Sequence, residues 1–315
     1  MKRIELARRL LVVLSLLSSF ALAGCTTGEN NWTRAASPGS ERRQRVVQTV
    51  AADQCKKLVL RTGPGEVTLI GTSEPVVGIE VEKRAAGSDS AAVDQYLEGI
   101  RLEVKAVGES IQVTTRLPEQ APAGVKLIGV RYLIEVPHQV RGVLDVEADQ
   151  ATVRLTDLAA EATVKVRQAD LEVRGFTGSL KATVEQGQTL IQGLDGQLEV
   201  KSDGPVELRD ARLRPRGRVE TVNSRIWASL LELGVGQYEF LTTNAPVQLA
   251  LPYGVAARLR VATTNGKVYD ELPLTWVDRN ETDADGVYHF EGWLNAGGAQ
   301  VGIVTTNADV TLTYR

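Results

Sequence analysis

A short polar motif recurs at a fixed interval in the second half of the chain, and it constrains the fold more than any other feature. The motif is Thr-x-Asn, and its asparagines are Asn223, Asn244, Asn265 and Asn307, at intervals of 21, 21 and 42 residues. Apolar and polar residues alternate on both sides of each motif, which predicts strands with one buried and one exposed face. A fixed interval of this length indicates stacked supersecondary units.

We therefore predict an all-β chain in which residues 141–315 form a parallel β-solenoid, a β-helix-like stack of rungs of about 20 residues. The asparagines would form a ladder in this stack, because Asn tolerates the left-handed backbone of turns and stacked amides hydrogen-bond along the axis. The 42-residue interval predicts a rung enlarged by an insertion near 274–293. A series of antiparallel hairpins is the alternative, since Asn265-Gly266 is a strong hairpin signal.

Residues 45–140 are predicted to form a β-rich part with one short helix. Alternating apolar residues and Gly-Pro turns predict strands through most of this part. Val93, Leu97 and Ile100 recur at helical spacing, which predicts a helix near 90–100. The 43% of hydrophobic residues is enough for a packed core, and the 5% of aromatic residues fits thin rungs filled by small aliphatic side chains.

The first 24 residues predict an export signal. A basic start is followed by 14 weakly polar to apolar residues at 10–23. As a helix this run would span about 21 Å, which is too short for a hydrocarbon core of about 30 Å. The pattern is typical of a secretory signal peptide, and a transmembrane anchor is the alternative.

The signal ends in Leu22-Ala23-Gly24-Cys25, which resembles the lipobox of bacterial lipoproteins. The resemblance implies cleavage before Cys25, diacylglycerol on its thiol, and acylation of the new amino group by a chain such as palmitate. Several chains make such anchoring stable. Thr26 follows in place of Asp, so the resemblance further implies an outer-membrane location. Removal of residues 1–24 would change the formal net charge from -3 to -6.

Residues 25–44 predict a lipid-anchored flexible tether, because Thr, Ser, Asn and Gly dominate their composition. Cys55 has no intramolecular partner if the lipid occupies the only other cysteine. We interpret Cys55 as a buried small residue beside the strand at 58–60, and a reactive thiol or an intermolecular disulfide is the alternative.

The mature part of the chain resembles the putative-adhesin family, cell-envelope proteins of unknown biochemical function that contain repeated strand units. The similarity covers residues 58–315 and rests on the stretches at 58–69, 132–137 and 261–268, the last of which contains Thr-Thr-Asn-Gly. It implies a solenoid of strand repeats in the cell envelope with an adhesin-like role, and it brings no catalytic residues.

Four arginines form a candidate anion-binding stripe. Arg212, Arg214, Arg216 and Arg218 lie two positions apart, so in a strand they share one face that suits lipid headgroups, phosphates or acidic glycans. The alternative is a solvated face in which the arginines pair with Glu and Asp. Pro215 also argues for a turn that would break the stripe.

Four aromatic residues cluster in the predicted insertion: Trp276, Tyr288, Phe290 and Trp293. They would either cover the open edge of the solenoid or form a contact surface for a glycan or a protein.

The sequence contains no phosphate loop, zinc-protease motif or nucleophile elbow. Two His and two Cys leave too few ligands for a His/Cys metal cage, so we expect no metal site and no cofactor. A net charge of -3 argues against bulk nucleic-acid binding.

We expect a non-catalytic, lipid-anchored envelope protein that acts as a structural, adhesin-like or interaction module. Its partners would be the membrane, through the N-terminal lipid, and an envelope protein or glycan. One alternative is a carbohydrate-active β-helix enzyme that acts on acidic polysaccharide, with the candidate residues Asp203, Glu207, Asp210 and Arg212. A second alternative is an accessory protein for envelope sensing.

Overall fold

The computed structural model describes residues 33–36, 41–51, 55–138, 142–280 and 286–315. These residues form an all-β fold with one helix, α1 (Ser90–Gly99). In chain order the strands are β1 (Thr33–Ala36), β2 (Glu41–Ala51), β3 (Lys57–Thr62), β4 (Gly65–Thr72), β5 (Val76–Gly87), β6 (Arg101–Val107), β7 (Ser110–Arg116), β8 (Val125–Pro137), β9 (Val143–Asp149), β10 (Ala151–Thr156), β11 (Ala159–Arg167), β12 (Leu171–Arg174), β13 (Thr177–Glu185), β14 (Thr189–Gln192), β15 (Asp195–Ser202), β16 (Val206–Thr221), β17 (Ile226–Leu233), β18 (Gln237–Leu241), β19 (Val247–Leu251), β20 (Ala257–Thr264), β21 (Val268–Asp270), β22 (Thr275–Asn280), β23 (Val287–Leu294), β24 (Ala299–Thr306) and β25 (Val310–Tyr314).

The strands are hydrogen-bonded in two ladders, and we call one strand from each ladder, with the turn between them, a rung. Pairing is parallel throughout the central part of both ladders, antiparallel at both ends of the first ladder and at the N-terminal end of the second, and parallel at the β25–β21 end of the second. The first ladder has the spatial order β6, β7, β3, β9, β11, β13, β15, the second half of β16, β18, β24, β20, β23 and β22. The second ladder has the order β1, β2, β5, β8, β4, β10, β12, β14, the first half of β16, β17, β19, β25 and β21.

Inward side chains from successive rungs stack in buried columns. Val164 lies between Val146 and Ala182, its counterparts in the two adjacent rungs. The same column continues through Val200, Val219, Phe240, Ile303 and Val261, and every member is buried. Burial of one such aliphatic or aromatic side chain contributes roughly 1.5–3 kcal/mol, so each rung is stabilised by the two rungs beside it.

The order of the rungs departs from chain order at the C-terminal end. β24 lies between β18 and β20, because Gln300 pairs with Gln237 on one side and with Arg258 on the other. The predicted enlargement of the 42-residue interval by an insertion near 274–293 did not include this change in the order of the rungs. The inserted residues form a β22–β23 hairpin on the outer edge of β20, and the inner edge of β20 pairs with β24.

Antiparallel strands extend the stack at both of its ends. At one end β6 covers the first ladder, while β5, β2 and β1 extend the second ladder and α1 packs against β2, β5 and β8. At the other end the β22–β23 hairpin covers the first ladder, and the second ladder finishes on the short strand β21. Caps of this kind and short edge strands limit the pairing of a sheet with other chains.

The N-terminal boundaries differ slightly from the prediction. The helix runs over Ser90–Gly99, and its N-cap is Asp89, whose Oδ1 accepts a hydrogen bond from the amide of Ala91 at 2.9 Å. The predicted tether at 25–44 extends too far, because β2 begins at Glu41, whose carboxylate lies 2.8 Å from Nη2 of Arg84 on β5.

The four asparagines of the repeated motif lie in one row along a corner of the stack. All four have a positive φ, between 54° and 56°. Nδ2 of Asn244 donates to Oδ1 of Asn223 at 2.9 Å, Asn307 donates to Asn244 at 2.8 Å, and Asn265 donates to Asn307 at 2.9 Å. The row therefore follows the spatial order of the rungs rather than the chain order.

The threonine two positions before each asparagine ties neighbouring turns together. These threonines are buried, and three hydroxyls donate to the residue that follows the asparagine of the adjacent rung: Thr242 to the carbonyl of Ser224 (2.8 Å), Thr305 to that of Ala245 (2.7 Å) and Thr263 to that of Ala308 (2.6 Å). A buried carbonyl left without a donor costs roughly 1–3 kcal/mol, which explains why threonine and asparagine recur together.

One buried lysine closes the C-terminal end of α1. Nζ of Lys83 donates to the carbonyls of Ile100 at 2.5 Å and Leu97 at 3.3 Å, and the residue is only 2% exposed. A cation at this position complements the helix dipole and satisfies terminal carbonyls. Burial nevertheless disfavours the charged form and lowers the pKa of Lys83 to about 8.

We predict that the stability of the fold rises with pH between about 8 and 10.5 through Lys83. In this window the unfolded chain keeps a proton that the folded chain has released, so folding becomes more favourable as the pH increases. The gain reaches roughly 3 kcal/mol. Denaturant unfolding of the wild type and Lys83→Met across this range measures it. Parallel pH profiles for the two proteins would contradict the prediction.

A second prediction separates the two roles of Asn244. Asn244→Ala should lower the free energy of unfolding by roughly 1–3 kcal/mol, because alanine is strained at positive φ and makes no amide hydrogen bonds. Asn244→Gly should recover the backbone part only. The neighbouring Thr243→Ala, at an exposed position, is the matched control. Equal stability of all three variants and the wild type in urea unfolding would refute the structural role of the asparagine row.

Candidate functional site

Two regular columns of outward side chains cross the first ladder. The polar column comprises Glu161, Ser179, Gln197, Arg216, Gln237, Gln300 and Arg258. The charged column lies beside it and comprises Thr163, Lys181, Glu199, Arg218, Glu239, Gly302, Arg260 and Glu291. Both columns follow from the pairing of neighbouring strands, which is parallel except between β20 and β23, since strands about 4.8 Å apart place equivalent side chains beside each other. A register shift in the β15–β16 pairing interrupts the polar column between Gln197 and Arg216.

Opposite charges alternate along the charged column, with one interruption. Its ion pairs are Lys181–Glu199 (Nζ to Oε1, 3.0 Å), Arg218–Glu239, and Arg260–Glu291 (Nε to Oε2, 3.2 Å). Gly302 stands between the second pair and the third and has no side chain to continue the series. A Cβ atom added to Gly302 would meet only the carbonyl oxygen of Tyr238, at 3.9 Å, so the space above this residue is open.

The charged groups of these columns are engaged with one another. Arg258 and Arg260 both contact Glu291, and the hydrogen bond from Arg258 holds the pKa of this carboxyl below its usual range. Arg218 donates to Glu220 at 3.0 Å, and this hydrogen bond raises the pKa of the Arg218 guanidinium. The Glu291 carboxylate therefore stays ionised and paired at neutral pH.

Two adjoining depressions lie over the columns. One, of about 470 Å³, is lined by outward residues from Glu161 to Glu239. The other, of about 730 Å³, lies over Gly302 and is bounded by Arg260 and Glu291. The two depressions share Gln237 and Glu239, so they form one groove that crosses the strands along the stack. We call this feature the axial groove.

Free hydrogen-bonding groups lie along the axial groove. The side chains of Gln197, Gln237 and Gln300 are exposed, and no other side chain or backbone group in the described part of the chain hydrogen-bonds to their amides. Arg216 is also exposed and has no ion-pair partner among the described residues. Each glutamine amide presents two donors and one acceptor atom to solvent, which suits a ligand with many hydroxyl or carbonyl groups.

The four arginines of the predicted stripe lie on the outer surface of β16, but they do not form one uniform site. Three of them contact carboxylates: Arg212 with Glu232 (3.9 Å), Arg214 with Asp195 (2.5 Å), and Arg218 with Glu220 (3.0 Å) and Glu239. A register shift in the β15–β16 pairing, opposite Pro215, separates the first two arginines from Arg216 and Arg218. Proline provides no backbone N–H for the ladder, which accounts for the break.

The aromatic residues of the insertion do not share one surface. Phe290 is 2% exposed and belongs to the hydrophobic core, and Tyr288 packs against that core. Trp293 lies under the guanidinium of Arg258, whose Cζ is 5.1 Å from the ring centroid. Trp276 is on β22, with its backbone opposite Gly292, and its side chain is outside the described residues. Phe290 is thus unavailable as part of a contact surface.

The carboxylates proposed for an enzyme site lie apart in the fold. Oδ1 of Asp203 accepts a hydrogen bond from the amide of Gln186 at one turn, Asp210 binds Arg315 at the opposite turn, and Glu207 pairs with Arg209 on the second ladder between them. Among the described residues, no group of three or more His, Cys, Asp and Glu is arranged to hold a metal ion.

The lipobox residues 22–25 lie outside the described residues. In the described part of the chain, no helix has the length and apolar composition needed to cross a bilayer. Cys55 is buried, and burial raises the pKa of its thiol. A thiol in this environment is a poor nucleophile.

Comparisons with known proteins return remote structural similarities. Neither a protein-family model nor a curated protein sequence matches the chain. A putative adhesin from Parabacteroides distasonis is 11% identical with a TM-score of 0.45, over 85% of this chain and 96% of that one. A putative adhesin from Bacteroides fragilis is 8% identical with a TM-score of 0.42, over 86% and 97%. Similarities at this level assign neither a family nor an activity.

Apart from Arg216 and Arg218 of the predicted arginine stripe, sequence reasoning missed the residues that line the axial groove, although a signal for some of them exists. The polar-column residues Arg216, Gln237, Arg258 and Gln300 each lie seven positions before an asparagine of the motif. Positions five before the asparagines give the charged column, and Gly302 is the one member there without a side chain. Alignment of the repeats on their asparagines would therefore have revealed both columns.

Proposed function

We propose that this protein is a lipid-anchored binding module of the cell envelope, built as a β-solenoid and adhesin-like in its mode of action. The observation that carries the proposal is the axial groove, a long, regular surface with solvent-facing amides. Parallel, in-register pairing between neighbouring rungs supports the solenoid, and solenoids use such extended faces for contact.

In this proposal the chain has four parts. Residues 1–24 are removed, Cys25 carries the lipid, and the residues between Cys25 and β1 form a tether. The β-rich part up to residue 140 and the repetitive part at 141–315 form the rigid body. The lipid then holds the groove near the outer membrane, where envelope proteins and glycans are its available partners.

Binding fits the groove better than catalysis does. A general acid at neutral pH needs a carboxyl group with a raised pKa, whereas the pKa of Glu291 is lowered by Arg258 and Arg260. Glu239 forms an ion pair with Arg218. The scattered positions of Asp203, Glu207 and Asp210 give no support to the alternative of an enzyme that cleaves acidic polysaccharide.

The anchor is tested by Cys25→Ser. We expect the variant to lose incorporation of labelled palmitate and to move from the membrane fraction to the soluble fraction, because the thiol that receives the lipid is absent. Cys55→Ser removes the other cysteine and should leave the protein in the membrane fraction. Membrane retention of Cys25→Ser in a carbonate-washed preparation would refute the lipid anchor.

The contact surface is tested by photocrosslinking in intact cells. A benzophenone amino acid at Gln237, in the groove, should give covalent adducts, whereas the same group at Gln248, exposed on the second ladder, should give few. Adducts that are equally abundant at both positions, or absent from both, would contradict a binding role for this face.

A further inference from the structure

The interruption at Gly302 is the widest part of the axial groove and has a defined geometry. Glu239 on β18 and Arg260 on β20 flank Gly302 at two strand spacings from each other, about 10 Å. The floor is the glycine backbone, and the adjacent polar column places Gln300 and Gln237 along one side. Glu239 and Arg260 bound the opening along the stack, so an extended chain that follows the stack lies over Gln300 and Gln237, beside Gly302.

We propose that the axial groove binds a neutral, hydroxyl-rich polysaccharide, with one sugar chain lying along the polar column, beside the opening at Gly302. This inference rests on the proposed binding function and specifies the ligand of that same surface.

Charge balance favours a neutral ligand. Five cationic and five anionic side chains line the two depressions, with His289 as a further titratable group. Four of the five cations already contact a carboxylate, and Arg216 is the exception among the described residues. A polyanion would have to displace those carboxylates, and a polycation would have to displace the arginines and the lysine. A neutral ligand leaves every ion pair in place.

The spacing of the amides favours a polymer. Gln237 and Gln300 are direct neighbours in the first ladder and therefore repeat at about 4.8 Å along the groove. Gln197 continues the polar column on the other side of Arg216. A polymer that lies along this column meets a donor and an acceptor at Gln197, Gln237 and Gln300 and donors at Arg216, and sugar hydroxyls both accept and donate.

The same surface is poorly suited to a peptide. Extended peptides bind sheets chiefly through backbone hydrogen bonds at an open edge, with side chains in apolar pockets. Backbone groups beneath the groove already pair with the neighbouring strands. Apolar side chains at the widest part are limited to Ala262 and Val304 on the outward side of β20 and β24.

Individual contacts in such an exposed groove are weak, so the length of the ligand must supply the affinity. Each amide hydrogen bond contributes about 0.5–1.5 kcal/mol, and successive sugars bind with the entropic advantage of a linked chain. We therefore expect the affinity to rise steeply with the number of sugars until the groove is filled.

The test uses the full mature chain released by Cys25→Ser. Neutral glucan, mannan and galactan oligosaccharides of two, four and eight sugars are titrated calorimetrically, with oligogalacturonates of matched length and extended polar peptides as competing classes. We expect at least one neutral series to bind, with an increase of about tenfold or more from four to eight sugars. Preferential binding of the oligogalacturonates or of the peptides would overturn the inference.

Matched variants locate the binding. Gly302→Trp fills the opening without a steric clash at Cβ and should abolish binding, whereas Gly302→Ala should retain most of it. The pair Gln237→Ala and Gln300→Ala should weaken binding by about tenfold. Gln248→Trp adds the same bulk to the second ladder and should change nothing. Unchanged binding by a folded Gly302→Trp protein, judged by its far-ultraviolet circular dichroism, would also overturn the inference.

A final experiment distinguishes failure of the polysaccharide inference from failure of the proposed binding function. Isolated envelopes are incubated with the wild-type chain and with Gly302→Trp, after periodate oxidation of glycans or after protease digestion. Loss of binding after periodate alone supports the polysaccharide. Loss after protease alone, with Gly302→Trp still defective, overturns the polysaccharide and leaves the binding module intact. No binding to any envelope preparation overturns both.

Discussion

In-register parallel hydrogen bonding between rungs is the constraint on which the rest of this structure depends. Because each strand sits beside its counterpart one rung away, every side chain stands next to the residue at the equivalent position. Val164 therefore lies beside Val146 and Ala182, and Asn244 lies beside Asn223 and Asn307. Each of these contacts must be favourable. Small aliphatic residues satisfy this requirement in the core. Reciprocal amides satisfy it at the corner, and alternating charges satisfy it on the outer face, where like charges side by side would destabilise the pair.

The sequence predicts those parts of the fold that arise from local repetition. The period-two alternation predicts the short strands, and the Thr-x-Asn motif predicts the turns and their interval. Both patterns arise within a single rung, so the local sequence contains them. The order of the rungs escapes prediction. Gln237 pairs with Gln300, and Gly65 pairs with Ala151, although several strands lie between them in the chain. The local sequence pattern indicates neither pairing. The predicted arginine stripe lies on one strand, yet the chemistry of Arg214 depends on Asp195, which only the assembled ladder brings near.

The candidate site illustrates a related point, since it arises from an exception to the repeat. Positive and negative charges alternate along six residues of the charged column, so these charges compensate one another. Gly302 lies in the same column and, without a side chain, leaves an open space. Departures from a locally consistent pattern often accompany function in proteins. Here the departure lies in β24, the strand whose position in the ladder also departs from chain order. The two irregularities coincide in one rung, where three successive strands form the floor and walls of the groove.

The interleaved rung also sets the sequence of events during synthesis. Residues 237–241 and 257–264 emerge before residues 299–306, yet their strands are separated by β24 in the finished ladder. Until residue 306 has emerged, the facing edges of β18 and β20 carry unpaired backbone groups and the groove has no floor. β24 completes the hydrogen bonding between β18 and β20, so this part of the ladder forms only when a strand that follows both of its neighbours in the chain becomes available.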